Sequence, residues 1–235
     1  MKARFSVPSA AIGHNGAMRL KWLPASACCT LISSALLAGA PVRAGTPTVV
    51  TFEQVRPGAM PPRFRTLTSA EAEPGRWQVE RVDGTPALSQ VLAGREGYRL
   101  AALESPKLQN LRAGIRLRMG HAGDRAAGLA WRVRDARNYY AARLDLKERE
   151  FVLYKFVRGN RIRLSRTSDL RLQEAAWHEL SIEHVGDRLK VWLNGIPVAT
   201  KRDAALSGAG MVSLWLPGDS IAHFARLTFE PLRGE

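Results

Sequence analysis

Cysteine is almost missing from this chain. Its 235 residues hold two, Cys28 and Cys29, side by side in an apolar N-terminal stretch. Residues 45–235 therefore carry no disulfide framework, no thiolate zinc site and no cysteine nucleophile. Lysine is scarce as well, since 28 of the 35 basic residues are arginine. No acid precedes Glu53. The Gly-x-Ser-x-Gly elbow of serine hydrolases is absent, and so is the Asp-x-Asp-x-Asp-Gly run of a calcium loop. No segment sustains a helical apolar period, and residues 169–176 suggest one short turn at most.

What is present begins with charge. The formal balance is +14, and from Gly45 onward 30 basic residues still face 21 acids. Such an excess invites a nucleic-acid reading, but these arginines are spread over many segments instead of gathered in one run. The N-terminus argues further against it. Residues 18–44 have the parts of a secretory signal: Arg19 and Lys21, an uncharged stretch from Trp22 to Ala40, then Val42-Arg43-Ala44 before Gly45. The stretch is diluted by Pro24, Ser26, Ser33 and Ser34, so it falls short of a transmembrane anchor. Cleavage after Ala44 is expected, with a start at Met18 as the alternative to Met1. A lipoprotein site at Cys28 is the lesser alternative, because the apolar stretch before it is short. Residues 45–235 then form one domain, exported to the periplasm or beyond the cell.

That domain reads as strands. Residues 129–134, 138–146 and 150–157 alternate apolar and polar side chains at period 2, with turns at Asp135-Ala-Arg-Asn and Lys147-Glu-Arg. Leu129, Trp131 and Val133 share one face, and Arg132 and Arg134 the other. Similar runs surround Trp77, Leu88 and Leu100. They recur at 109–119, 161–166, 177–185, 188–193, 196–201, 210–216 and 220–230. Residues 53–74, rich in proline, read as a loop. Asn194-Gly195 suits the positive φ angles of a type I′ hairpin. Many short strands with turns every 8–12 residues predict an all-β antiparallel sandwich.

Three blocks carry a resemblance. They are Gly128-Leu-Ala-Trp-Arg-Val-Arg-Asp-Ala-Arg-Asn-Tyr-Tyr, then Trp177-His-Glu-Leu-Ser-Ile-Glu with Gly186-Asp-Arg-Leu-Lys-Val-Trp-Leu-Asn-Gly, then Gly208-Ala-Gly-Met-Val-Ser-Leu-Trp with Ala222-His-Phe-Ala-Arg. Together they resemble the concanavalin A-like, or laminin G-like, jelly-roll sandwiches, and among these the secreted bacterial relatives of the 3-keto-disaccharide hydrolase domain. The resemblance implies a two-sheet jelly roll. Where that group has an acidic pair after its closing Phe, this chain has Ala225-Arg226, so no role of those acids carries over. The fold hosts lectins, hydrolases and adhesion modules alike, and function must come from a site.

No catalytic set emerges. Asp145, Glu148 and Glu150 are the nearest approach to clustered carboxylates, and they read as a charged hairpin tip. His121, His178, His184 and His223 read as structural. No cofactor is expected, and Ca²⁺ only through scattered loop acids such as Asp83, Asp124 and Asp219. Arg112, Arg116 and Arg118 form either a guanidinium ladder beside Arg132 and Arg134 or outward arginines paired with acids, and the paired form is expected. Rings with guanidinium and carboxylate groups on one face suit a polyhydroxy or anionic ligand. The ligand face expected from parity is Arg132, Arg134, Tyr139, Arg143 and Asp145, with Trp192 as an addition. A carbohydrate or anionic envelope glycan is the expected partner. Hydrolysis of keto-sugar glycosides, or a protein–protein module, are the rival functions.

Overall fold

The computed structural model describes residues 46–234 except Glu71, Arg95 and Ala122. The expected leader, its cleavage point and the alternative start lie outside the described residues. Within them the chain is all strand, arranged as two antiparallel sheets.

The first sheet follows the order β13 (Ile196–Arg202), β12 (Arg188–Leu193), β11 (His178–Val185), β6 (Leu111–Met119), β15 (Ala222–Pro231), β4 (Thr85–Gln90) and β3 (Trp77–Val82). The short β1 (Thr48–Val50) also pairs with β15. The second sheet runs β10 (Asn160–Thr167), β9 (Glu150–Val157), β8 (Asn138–Asp145), β7 (Ala126–Asp135), β14 (Gly210–Pro217), β5 (Tyr98–Leu108) and β2 (Phe64–Thr68). The apolar parity of each strand points into the space between the sheets. There Leu129, Trp131, Tyr140, Leu144, Leu153 and Leu214 meet Ile115, Leu117, Leu180, Ile182, Val191 and Phe224.

Local chemistry sets the turns. Asn194 and Gly195 have φ of 49° and 80° and close a two-residue hairpin between Leu193 and Ile196, as the type I′ signal predicts. At the first turn of the meander, Asp135 Oδ1 accepts from the Arg137 N–H at 2.7 Å and from Asn138 Nδ2 at 3.0 Å. One expectation fails. Residues 64–68 form β2 along β5, because Thr66, Leu67 and Thr68 favour a strand once past the prolines. Residues 169–176 are irregular and hold the one short turn expected of them, at Glu174-Ala175.

A bulge in β7 breaks the alternation on which the expected ligand face depends. The pairing with β8 shifts between Trp131 and Asp135, and Arg132 has φ of +48°. Trp131 faces the main core, whereas Val133 turns to the outer face. The bulged backbone is accommodated by Gly210 on β14, where a Cβ would sit 2.3 Å from the Arg132 carbonyl carbon. Gly128 is also fixed by close approach, since its Cβ would meet the Ala142 carbonyl oxygen at 1.8 Å. Gly128→Ala should therefore cost about 1–3 kcal/mol through backbone displacement. Urea unfolding would check this, and an unchanged midpoint would refute it.

Candidate functional site

The outer face of the seven-stranded sheet is hollowed. Four strand spacings separate β5 from β9, about 19 Å in a flat sheet. Yet the rings of Tyr98 and Phe156 meet edge-on with centroids 4.9 Å apart. From β10, one strand further, Arg161 Nη1 donates to the Tyr98 hydroxyl at 2.7 Å. The sheet must curl for these side chains to touch. Small residues on the intervening strands make room: Ala141, Ala130, Ser213 and Ala102 occupy successive strands of one row. The row ends in Arg163 beside Tyr154 on one edge and Arg65 on the other.

Aromatic rings fill the hollow above this floor. Tyr98 stacks on Trp215 at 5.1 Å, and Tyr139 stacks on Phe156 at 4.4 Å. Trp215 Nε1 donates to the Tyr139 hydroxyl at 3.3 Å. With Leu100, Val133, Val152 and Met211 these rings make a second buried cluster, separate from the core between the sheets. The result is an arch of rings over a small-residue floor.

Beside the arch opens a hollow of about 800 Å³. Tyr98, Arg143 and Arg161 line it together with Glu96, Asp124 and Asp219, closed by the backbone of Gly97, Pro217 and Gly218. Arg143 rises from β8, with one side held by an ion pair to Asp145. Its Nε is buried and has no hydrogen-bond partner. Burial works against its charge, but Asp145 and Tyr154 more than offset this and raise the guanidinium above its ordinary pKa. Asp145 is fully buried and also accepts from the Glu148 N–H at 2.9 Å. Burial pushes its carboxyl up from the usual range, against the pull of that N–H and of Arg143. Burial likewise raises the Tyr98 hydroxyl, opposed by Arg161.

The rim of this hollow is positioned by Arg99. Buried at the end of β5, Arg99 donates to the carbonyls of Glu73 at 2.9 Å and Leu92 at 2.7 Å, and to that of Gly218. Three loops are thereby drawn together where the hollow opens.

Of the six residues expected on the ligand face, the structure brings Arg143 to the hollow, with Asp145 behind it. The others lie elsewhere. Arg132 is fully buried, and its guanidinium donates to Gln109 O at 2.7 Å and to Leu206 O and Gly186 O at 3.0 Å. The bulge turns it under three loops, so it cannot meet a ligand. Arg134 is exposed at the far end of β7, beside Gly208. Tyr139 does face outward from the main core but is covered within the ring cluster. Trp192 has the outward parity expected of it, yet β12 belongs to the other sheet. The hollow instead uses Tyr98, Arg161, Glu96, Asp124 and Asp219. Asp124 and Asp219 were candidates only as calcium ligands. Period-2 parity alone marks Trp215 as outward, opposite Leu214 and Leu216, and was the signal available for the ring cluster.

The opposite sheet shows arginines paired with acids. Arg112 bridges Glu183 and Glu230, both at 2.7 Å. Arg118 pairs with Asp83, Arg226 with Glu179, and Arg116 lies 5.2 Å over the Trp177 ring. Asp145 and Glu150 face one another across β8 and β9, each tied to an arginine, Glu150 to Arg166. His178 contacts Gln173 O at 3.1 Å, and His223 contacts Ser89 Oγ at 2.8 Å and Glu80 at 3.1 Å. Among the described residues no group of three or more His, Cys, Asp or Glu is arranged to hold a metal ion. Nor is any described helix long and apolar enough to cross a membrane.

Two sheets with this strand order, packed face to face, define a jelly-roll sandwich. Its particular form is the concanavalin A-like one, as solved structures show. The carbohydrate binding module CBM66 from Bacillus subtilis aligns with a TM-score of 0.55 and 21% identity, over 74% of this chain and 96% of that one. The exoplasmic/lumenal domain of VIP36 in its Ca²⁺/Man-bound form gives 0.55 and 12%, over 80% and 91%. The Bacillus licheniformis beta-glucanase gives 0.54 and 10%, over 79% and 98%. No protein-family model and no curated protein matches the sequence.

Proposed function

We propose that this is an exported carbohydrate-binding protein whose sugar site is the hollow beside Tyr98. The observation that carries the reading is one half-buried tyrosine lining a hollow together with two arginines and three carboxylates. A ring supplies a flat apolar surface for the C–H face of a pyranose. Arg143 and Arg161 offer donors to hydroxyl groups, and Glu96, Asp124 and Asp219 offer acceptors. A polyol satisfies both signs of charge at once, whereas a simple ion satisfies only one. Structural neighbours with carbohydrate-binding or mannose-bound descriptions are consistent with this use of the fold.

The assignment is binding without turnover. Asp145 and Glu150 are engaged by arginines, so neither is free to act as acid or nucleophile. A glycan array followed by calorimetry tests the reading. Tyr98→Ala and Arg143→Ala should each weaken binding about tenfold or more. Failure to bind any glycan would remove the proposal. Release of reducing sugar that stops with Asp124→Asn or Asp219→Asn would replace it with glycoside hydrolysis.

A further inference from the structure

Tyr98 has a second side. A further hollow of about 460 Å³ is lined by Tyr98 together with Phe156, Arg137, Arg158 and Asn160. Tyr98 lines both hollows, so the two adjoin at this residue. Their chemistry differs. The first has two arginines facing three carboxylates. Among the described residues lining the second there are two arginines and no acid.

Among the described residues the arginines of this second hollow are not taken up by ion pairs. Arg137 Nη2 donates to the Arg158 carbonyl at 2.8 Å, which holds its guanidinium at the hairpin beside the hollow. Asp135 lies close in sequence, but its carboxylate is engaged by the Arg137 N–H and by Asn138 Nδ2. Neither Arg137 nor Arg158 has a carboxylate partner among the described residues. Along the neighbouring edge strand, Arg161 and Arg163 add further positive charge, and Arg161 is bonded to the uncharged Tyr98 hydroxyl. Like charges gathered without intervening acids are unfavourable unless an anion joins them. An anion seated here would meet charge-assisted donors on two sides.

We infer that the ligand is an acidic oligosaccharide that crosses Tyr98, seating a neutral face in the first hollow and a carboxylate- or sulfate-bearing residue between Arg137 and Arg158. The inference rests on the carbohydrate reading and adds to it the charge and the minimum length of the ligand. Two hollows meeting at one ring require at least two linked sugars. The shared chemistry is an equatorial or exocyclic anion on a sugar, and the source, uronate or sulfate ester, is separated by the probes.

The test uses tetrasaccharides of galacturonate and of glucuronate-containing hyaluronate, each compared with its carboxyl-reduced neutral form, and a sulfated tetrasaccharide with its desulfated form. Calorimetry at low and high salt reads the affinities. The wild-type protein should bind at least one acidic form about tenfold or more tightly than its neutral counterpart, with the preference shrinking as salt rises. In the double variant Arg137→Ala/Arg158→Ala the ratio between the two forms should fall close to one. Both residues are exposed hairpin positions, so this variant is expected to fold, and its thermal transition verifies that. Equal binding of acidic and neutral forms by the wild type overturns the second subsite and leaves the carbohydrate reading standing. So does a preference that persists in the double variant. Binding of no tetrasaccharide of either kind, together with a blank glycan array, overturns both.

Discussion

Replacing Arg132 by Met is expected to remove about 3–5 kcal/mol of folding free energy. The side chain is fully buried, and its three hydrogen bonds end on carbonyls from three separate connections: Gln109 after β5, Gly186 in the β11–β12 hairpin, and Leu206 before β14. A buried cation is costly to desolvate, and burial lowers the pKa of this guanidinium. It persists because every carbonyl it meets needs a donor that no neighbouring backbone supplies. A Met fills similar volume but leaves those oxygens without partners. Equilibrium unfolding in urea is the measurement, with Arg134→Met as the comparison. Arg134 lies on the same strand and is exposed, so its loss should stay within about 0.5 kcal/mol. Equal midpoints for the two variants would refute the argument.

Acid should destabilise the protein through His184. The ring is fully buried, and its Nδ1 accepts from Trp131 Nε1 at 3.0 Å, which requires the neutral ring. Burial, reinforced by the nearby Arg132 cation, depresses its pKa from 6.5 to about 3. An unfolded chain protonates this histidine below its ordinary pKa while the folded chain does not. Stability is therefore unpenalised above pH 6.5 and falls as pH drops from 6.5 towards about 3. The slope approaches about 1.4 kcal/mol per pH unit, so the full span is on the order of 5 kcal/mol. Asp203 works in the same direction, because Lys155 and Tyr140 hold its carboxyl below the usual range despite burial. Comparison with His184→Leu separates the two. That variant should be less stable at pH 7, having lost the Trp131 bond, yet its stability should vary less between pH 6.5 and 4. Parallel pH profiles for the two proteins would show that His184 does not titrate in this way.

The meander was legible because one physical rule governs it throughout. Residues between turns alternate, the turns carry Asp, Asn, Gly or charged residues, and β8 and β9 begin and end within a residue of expectation. The candidate site was much less legible, for two reasons. Parity counts from a strand's end assume an unbroken pleat, and the extra residue at Arg132 reverses everything beyond it. The bulge depends on Gly210, almost eighty positions away, and no local pattern links them. Parity also says which face a side chain takes, not what lies over it. Tyr139 was placed on the correct face, but its cover comes from the ring of Phe156, its direct partner on β9, and from Trp215 on β14, two strands away. Tyr98 and Asp219 belong to distant segments, and only the order of β14 beside β5 makes them neighbours.

Arg99 and Arg132 have a joint consequence for refolding. Each draws three loops to one guanidinium, doing at either end of the sandwich what covalent cross-links do in many secreted domains. These rivets open and close without chemistry. They cannot be paired wrongly, and they need no oxidant or isomerase to form. Residues 46–234 should thus regain their fold at the same rate in a reducing buffer as in an oxidising one.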